Sequence, residues 1–259
     1  VYNSIFNFGI IMKDIYLGFK FAFSYFTVLP INFKQTDDLS QKNVLSSMLF
    51  FFPFVGIFSG AVTILVYTLI FQPLGMTGAV ISAVLYMVFY GFIHTEAIAD
   101  VADALYAKHS GKDPYEVIKE PTIGAMGLLY TVAFVIAKVA VVGFLLLNSM
   151  FFEFLAITLV SRFALLLLIK LYDFKSTFVT LLKNALSNTT IIFGALSVCI
   201  IGFLLMHLVF LPIFTVGILI SIIIAKLLGD KLGFLNGDVL GTALELTELL
   251  LLVGISLCL

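Results

Sequence analysis

The sequence predicts an all-α polytopic membrane protein of about seven transmembrane helices, with six to eight left open, plus an N-terminal interfacial or re-entrant helix. Three observations carry this. The 259 residues are 62% hydrophobic and 11% charged, with a mean hydropathy of +1.19, whereas soluble domains carry about 25% charged residues. Seven apolar runs reach spanning or near-spanning length. Of the loops between these runs, only alternate ones carry basic residues.

Residues 1–33 are rich in Phe but interrupted by Lys13, Asp14 and Lys20. A lysine in mid-span is costly, so an interfacial or re-entrant helix is expected rather than a clean crossing. No small-residue cleavage site follows, so no cleavable signal peptide is expected. Pro30 ends this segment and a polar loop follows. The apolar runs then cover 45–71, 76–98, 123–147, 150–171, 189–210, 212–229 and 240–259. The division between the fifth and sixth rests on Pro212. Neither a fixed-period repeat nor a separate soluble domain is visible, so residues 1–259 form one membrane domain.

Long loops at 32–44, 104–121, 172–188 and 230–239 alternate with short ones near 72–75, 148–149 and 211. The long loops and their flanks hold Lys34, Lys42, Lys108, Lys112, Lys119, Lys175, Lys183 and Lys231, and the short loops hold no basic residue. The long loops are therefore expected in the cytoplasm, with the chain multi-pass in the cytoplasmic (inner) membrane. The net charge of −1 says nothing about nucleic acid, but no basic tract exists to bind it, so no nucleic-acid partner is expected. Cys199 and Cys258 lie in apolar runs and suggest neither a disulfide nor a thiolate metal site.

Three polar constellations interrupt this pattern, all at expected cytoplasmic helix ends. Glu96, Asp100 and Asp103 fall at i, i+4 and i+7, so one continuous helix from residue 76 would present all three on one face. Like charges at a membrane boundary need compensation, and carboxylate oxygens suit Mg²⁺. An interfacial turn with solvated acids is the plainer alternative. His94 would lie roughly 160° around such a helix from Glu96 and makes a poor co-ligand; it is a candidate capping or substrate-facing group. The second constellation, Lys119-Glu120-Pro121-Thr122-Ile123-Gly124-Ala125-Met126-Gly127, opens a span. Its free N–H groups and glycines could receive phosphate, with Lys119 adding charge, or could serve only close helix packing. In the third, Asp238, Glu245 and Glu248 share a broad helical face, the last two inside a span. Intramembrane acids usually face a cavity or a partner. Lys138 and Arg162, the only arginine, are the basic residues well inside spans. Arg162 suits carboxylate or phosphate, and ion pairs with Glu245 or Glu248 are the structural alternative.

On these residues the chain resembles the adenosylcobinamide-GDP ribazoletransferases, the cobalamin synthase family. The family's H-x-D-G-x-x-D-x-x-D-G pattern is matched by His94, Glu96, Asp100 and Asp103. Its K-D-S-x-[IV]-G-x-[FY]-G pattern is matched by Lys119, Glu120, Ile123, Gly124 and Gly127. Its G-D-x-L-G-A-x-x-E-x-x-E pattern is matched by Gly237, Asp238, Leu240, Gly241, Glu245 and Glu248. Phe52-Pro53-Phe54-Val55-Gly56 and Phe26-Thr27-Val28-Leu29-Pro30 are further landmarks. Glu96, Ala97, Ala104, Glu120 and Pro121 depart from the pattern.

The resemblance implies a phosphoryl transfer in which α-ribazole, or its 5′-phosphate, attacks the cobinamide-linked phosphate of adenosylcobinamide-GDP. GMP leaves, and adenosylcobalamin or its 5′-phosphate forms. Mg²⁺ is the implied cofactor, on Glu96, Asp100 and Asp103. Asp100, Asp103 or Asp238 would take the attacking hydroxyl's proton. His94, Lys119, Glu120, Gly124, Gly127, Arg162, Glu245 and Glu248 are the implied substrate-binding set. Besides both substrates and the lipid bilayer, a homo-oligomer or association with other cobalamin-assembly enzymes is left open. A cation- or proton-coupled transporter would use intramembrane acids too, but these acids cluster at one face rather than at mid-membrane. A CDP-alcohol phosphotransferase would require an Ala-Arg after the first aspartates, which is absent here.

Overall fold

The computed structural model describes residues 2–258, with side chains from residue 12 onward. Its helices are α1 (Tyr2–Phe26), α2 (Lys42–Val66), α3 (Met76–Phe89), α4 (Glu96–His109), α5 (Pro114–Val117), α6 (Ala125–Leu147), α7 (Phe151–Leu171), α8 (Thr177–Ala185), α9 (Asn188–Met206), α10 (Phe210–Leu232) and α11 (Gly237–Ser256). Among the described residues there is no strand. The stretch beginning with α2, together with α6, α7, α11 and the 45-residue stretch Asn188–Leu232, is long and apolar enough to cross a bilayer; α3 is a shorter apolar helix.

The 45-residue stretch contains two helices, because His207 turns the chain at a φ of 51°. All seven apolar runs therefore form helices, but the division between the fifth and sixth is His207 rather than Pro212. Pro212 lies in the first turn of α10, where its missing N–H breaks no helical bond.

The second run is also shorter than expected. The helix begun at Met76 stops at Phe89, Gly91 (φ 67°) and Phe92 (φ 54°) take left-handed backbone, and α4 starts afresh at Glu96. The acidic stripe thus lies on its own helix, and the placement of His94 by a continuous helical wheel does not apply.

The N-terminal segment doubles back on itself. The Gly18 face of α1 packs against Val44, Ser47 and Met48, and Phe26 packs on Phe52 deeper along α2. The chain then returns beside α1: the Lys20 ammonium donates to the Asn32 carbonyl (2.5 Å) and Phe21 meets Phe33. It reaches its starting level where Asn43 donates to Asp14 (3.1 Å). Lys13, Asp14 and Lys20 are accommodated without crossing the bundle.

α7 is the centre of the fold, buried along most of its length and packed by α2, α9, α10 and α11. Membrane helices lack a hydrophobic drive to associate, so close backbone approach matters more. A Cβ on Gly56 of α2 would lie 2.4 Å from both the Arg162 Cδ and the Thr158 carbonyl oxygen of α7. Gly56 is what lets Arg162 lie between the two helices. Gly56→Ala is expected to cost about 1–3 kcal/mol through overpacking, measured as a lower thermal midpoint in detergent.

Candidate active site

Loops at one end of the bundle are tied to each other: Lys175 N–H donates to the Leu235 carbonyl (2.7 Å), and the Lys108 ammonium to the Lys231 carbonyl (2.5 Å). The starts of α4, α6 and α11 meet at this end. α4 lies against α11 at Ala97 and Gly241, where an added Cβ on Gly241 would come within 3.0 Å of Ala97 Cβ. That contact brings Glu96 and Asp100 beside Asp238. Asn236 caps α11 by accepting from Val239 N–H (3.0 Å), and its amide donates to Asp238 (2.7 Å).

The result is a group of four carboxylates. Partial burial raises the Asp100 pKa to about 6, and the negative charges of Asp238, Glu96 and Asp103 push the same way. No positive group offsets them at Asp100.

Asp103 also connects α4 to α6. Its carboxylate accepts from Gly124 N–H (2.6 Å) and Gly127 N–H (2.7 Å), the free donors at the start of α6. The helix start that the sequence offers to phosphate already holds an anion, this side chain. A Cβ on Gly127 would lie 2.2 Å from an Asp103 oxygen and 2.7 Å from the Ala99 carbonyl oxygen. Because Ala99 presents backbone, the helices themselves must part. Gly127→Ala is therefore expected to lower turnover at least tenfold while the protein stays helical, checked by product formation alongside circular dichroism.

Beneath the acids, roughly 10–15 Å along α11 at 1.5 Å per residue, lies a closed ionic network. Lys138 pairs with Glu245 and with Glu248 (2.9 Å to the latter), and Arg162 pairs with Glu248. Tyr86 (2.8 Å) and Ser161 (3.0 Å) donate to Glu248, and Arg162 donates to the Tyr86 hydroxyl (3.0 Å). Thr95 donates to Glu245 (3.2 Å), and Lys138 donates to the Tyr90 hydroxyl (3.2 Å). Two cations and two carboxylates cancel, as burial of charge requires. Thr95 immediately precedes α4, so the network sets the level from which the acidic stripe begins.

Glu96, Asp100, Asp103 and Asp238 thus come together, with Gly124 and Gly127 against Asp103. Arg162, Glu245 and Glu248 are buried in the network below rather than beside the acids. His94 lies in the turn before α4 with its ring near Phe26 and Phe52 and a buried, unpaired Nε2. Lys119 pairs with Glu116 (3.0 Å) and covers the Tyr115 ring, and Glu120 is exposed in the same loop. Sequence reasoning missed Tyr86, Tyr90, Thr95 and Ser161. A tyrosine or serine in an apolar helix carries no periodic signal, and only the intramembrane charges hinted that hydroxyl partners were needed.

Among the described residues, no three acids, histidines or cysteines converge closely enough to hold a metal by themselves. The donors nevertheless fit Mg²⁺, a hard ion that keeps several waters and needs only one or two carboxylates beside substrate phosphates.

Fold and site define a multi-pass, all-helical membrane protein with a carboxylate cluster at one end of its bundle. Residues 18–256 match the family described as cobalamin-5-phosphate synthase, and the chain belongs to that family. It is 29% identical over 255 residues to the adenosylcobinamide-GDP ribazoletransferase of Thermodesulfovibrio yellowstonii, covering 91% of this chain and 94% of the relative. Relatives of the same name from Clostridium botulinum (25% identical; 92% and 96% covered) and Clostridium perfringens (27%; 94% and 100%) align over comparable lengths. None of these relatives is named a transporter. No solved structure matches the chain.

Proposed function

We propose that the chain joins adenosylcobinamide-GDP and α-ribazole, or α-ribazole 5′-phosphate, releasing GMP and forming adenosylcobalamin or its 5′-phosphate. Family membership supports the transferase reading, and the relatives' name supplies the nucleotide-linked substrate. The observation that carries the site is the group of four carboxylates abutting the start of α6, with no positive group to offset them at Asp100.

Phosphoryl transfer to an alcohol depends on positioning and charge neutralisation more than on covalent chemistry by the protein. One or two of Glu96, Asp100 and Asp103 would hold Mg²⁺ together with substrate phosphate, and the bound ion would supply charge neutralisation for the diphosphate. Asp100, whose proton affinity is raised by burial and by its acidic neighbours while no cation is bound, accepts the proton of the attacking ribazole hydroxyl. Asp238 raises the affinity of Asp100 for that proton. Substrate phosphate competes with Asp103 for the Gly124 and Gly127 N–H groups, and Lys119 and Glu120 border its approach from the preceding loop. The Lys138–Glu245–Glu248–Arg162 network fixes the floor, and His94 sits between floor and acids. The basic loops at this end favour a site facing the cytoplasm, in the inner membrane.

The test is the reconstituted chain given both substrates, with and without Mg²⁺. GMP and an equal amount of joined corrinoid should appear only with the metal. Absence of GMP under every metal condition would contradict the reading.

A pH dependence follows from Asp100. Its pKa rises from 3.8 to about 6 on folding, so the fold loses stability as pH climbs through that window, where Asp100 ionises against its neighbours. A cation bound above pH 6 relieves that repulsion. Mg²⁺ is therefore expected to raise the melting temperature more at pH 8 than at pH 5. Equal shifts at both values would contradict a cation at Asp100.

A further inference from the structure

A cavity of about 940 Å³ lies on the side of α4 opposite the acids, between α6 and α10 with α11 as its floor. Ile98, Leu105, Phe134, Leu246 and Leu249 line it, all apolar. At 100° per residue, Leu105 lies about 180° around α4 from Glu96, so the cavity and the carboxylates are separated by the helix itself. The cavity opens sideways at Tyr130, Ala133 and Ala137, which α6 exposes on its outer surface.

Its mouth at the loop end is basic. Lys108 and Lys231 line it, each without a carboxylate partner among the described residues, and Lys108 is held there by its bond to the Lys231 carbonyl. Thr242, among the lining residues, carries a hydroxyl buried at 3% exposure with no hydrogen-bond partner. Thr242 lies five residues into α11, roughly 7–8 Å below the helix start. A buried hydroxyl without a partner is a site for an acceptor.

We infer that this cavity binds an anionic phospholipid. The phosphate sits at Lys108 and Lys231, an ester carbonyl accepts from Thr242, and one acyl chain lies along the groove between α6 and α10. Charge complementarity selects the occupant. Basic pockets between membrane helices at a loop end recognise anionic headgroups, with each lysine favouring them about fivefold. A lipid here would fill the space behind α4, stabilising the helix that bears the acids.

The chain contains no tryptophan, which permits a direct test. Ala133→Trp places a reporter in the groove, and Ile136→Trp places a control on the exposed face of α6. Each full-length variant is reconstituted in nanodiscs containing a bromine-labelled neutral or a bromine-labelled anionic phospholipid at equal mole fraction. The groove reporter should show at least fivefold preference for quenching by the anionic lipid, and the control no headgroup preference. Lys231→Gln should reduce the preference about fivefold, and its unchanged circular dichroism would separate this from unfolding. Equal quenching by both lipids, or a preference abolished by inorganic phosphate or by the nucleotide-linked substrate, would overturn the inference.

Discussion

Replacing Asp100 by Asn is expected to slow GMP release by about 10²–10⁴-fold, the usual contribution of a general base, while raising thermal stability at pH 8. The two effects share one cause. In the folded chain Asp100 is ionised at the expense of its surroundings, since its own burial and the charges of Asp238, Glu96 and Asp103 all oppose ionisation. Asparagine keeps the shape and removes the repulsion, together with the proposed proton acceptor and the proposed oxygen donor for a cation. A purely structural carboxylate would not behave this way, because losing it would reduce stability and activity together. Wild-type turnover in membranes carrying the variant would remove Asp100 from the chemistry.

The second large effect concerns the floor of the site. Lys138→Met leaves Glu245 without a cation and Glu248 with only Arg162. An uncompensated buried charge costs about 3–5 kcal/mol. The variant should unfold at markedly lower temperature or denaturant concentration. Adding Glu245→Gln should recover much of the loss, because the double change removes one charge of each sign. A double variant no more stable than Lys138→Met would mean that Lys138 acts through packing alone. Turnover should fall in the single variant even where it remains folded, since Glu245 also receives the Thr95 hydroxyl at the start of α4.

Much of this architecture was legible from the residues. Each of the seven apolar runs holds a helix, the second cut short at Phe89, and the lysine-interrupted N-terminus became a helix followed by a returning segment of chain. What was not legible came from backbone turns without a sequence marker. Phe92 and His207 adopt left-handed backbone despite their side chains, a local cost that the surrounding packing must offset. A periodicity reading instead carries the helix through residue 90 and turns the chain at Pro212. The acidic residues of the site were readable because charge is scarce in an apolar chain. Their arrangement was not. That Asp103 caps α6 depends on α4 crossing that helix start, and that Glu245 and Glu248 face Lys138 and Arg162 depends on how three helices pack. Both are tertiary facts, and the hydroxyls completing the network leave no periodic trace.

The most direct measurement is divalent-ion binding at the cluster itself, with Mn²⁺ in place of Mg²⁺ and its electron paramagnetic resonance as the readout. Purified chain in nanodiscs, given adenosylcobinamide-GDP without α-ribazole, should hold Mn²⁺ in an ordered environment. That signal should be lost on Asp100→Asn and on Asp103→Asn. An identical Mn²⁺ signal in both variants, or wild-type GMP release with all divalent ions chelated, would contradict a metal-assisted transfer at these carboxylates.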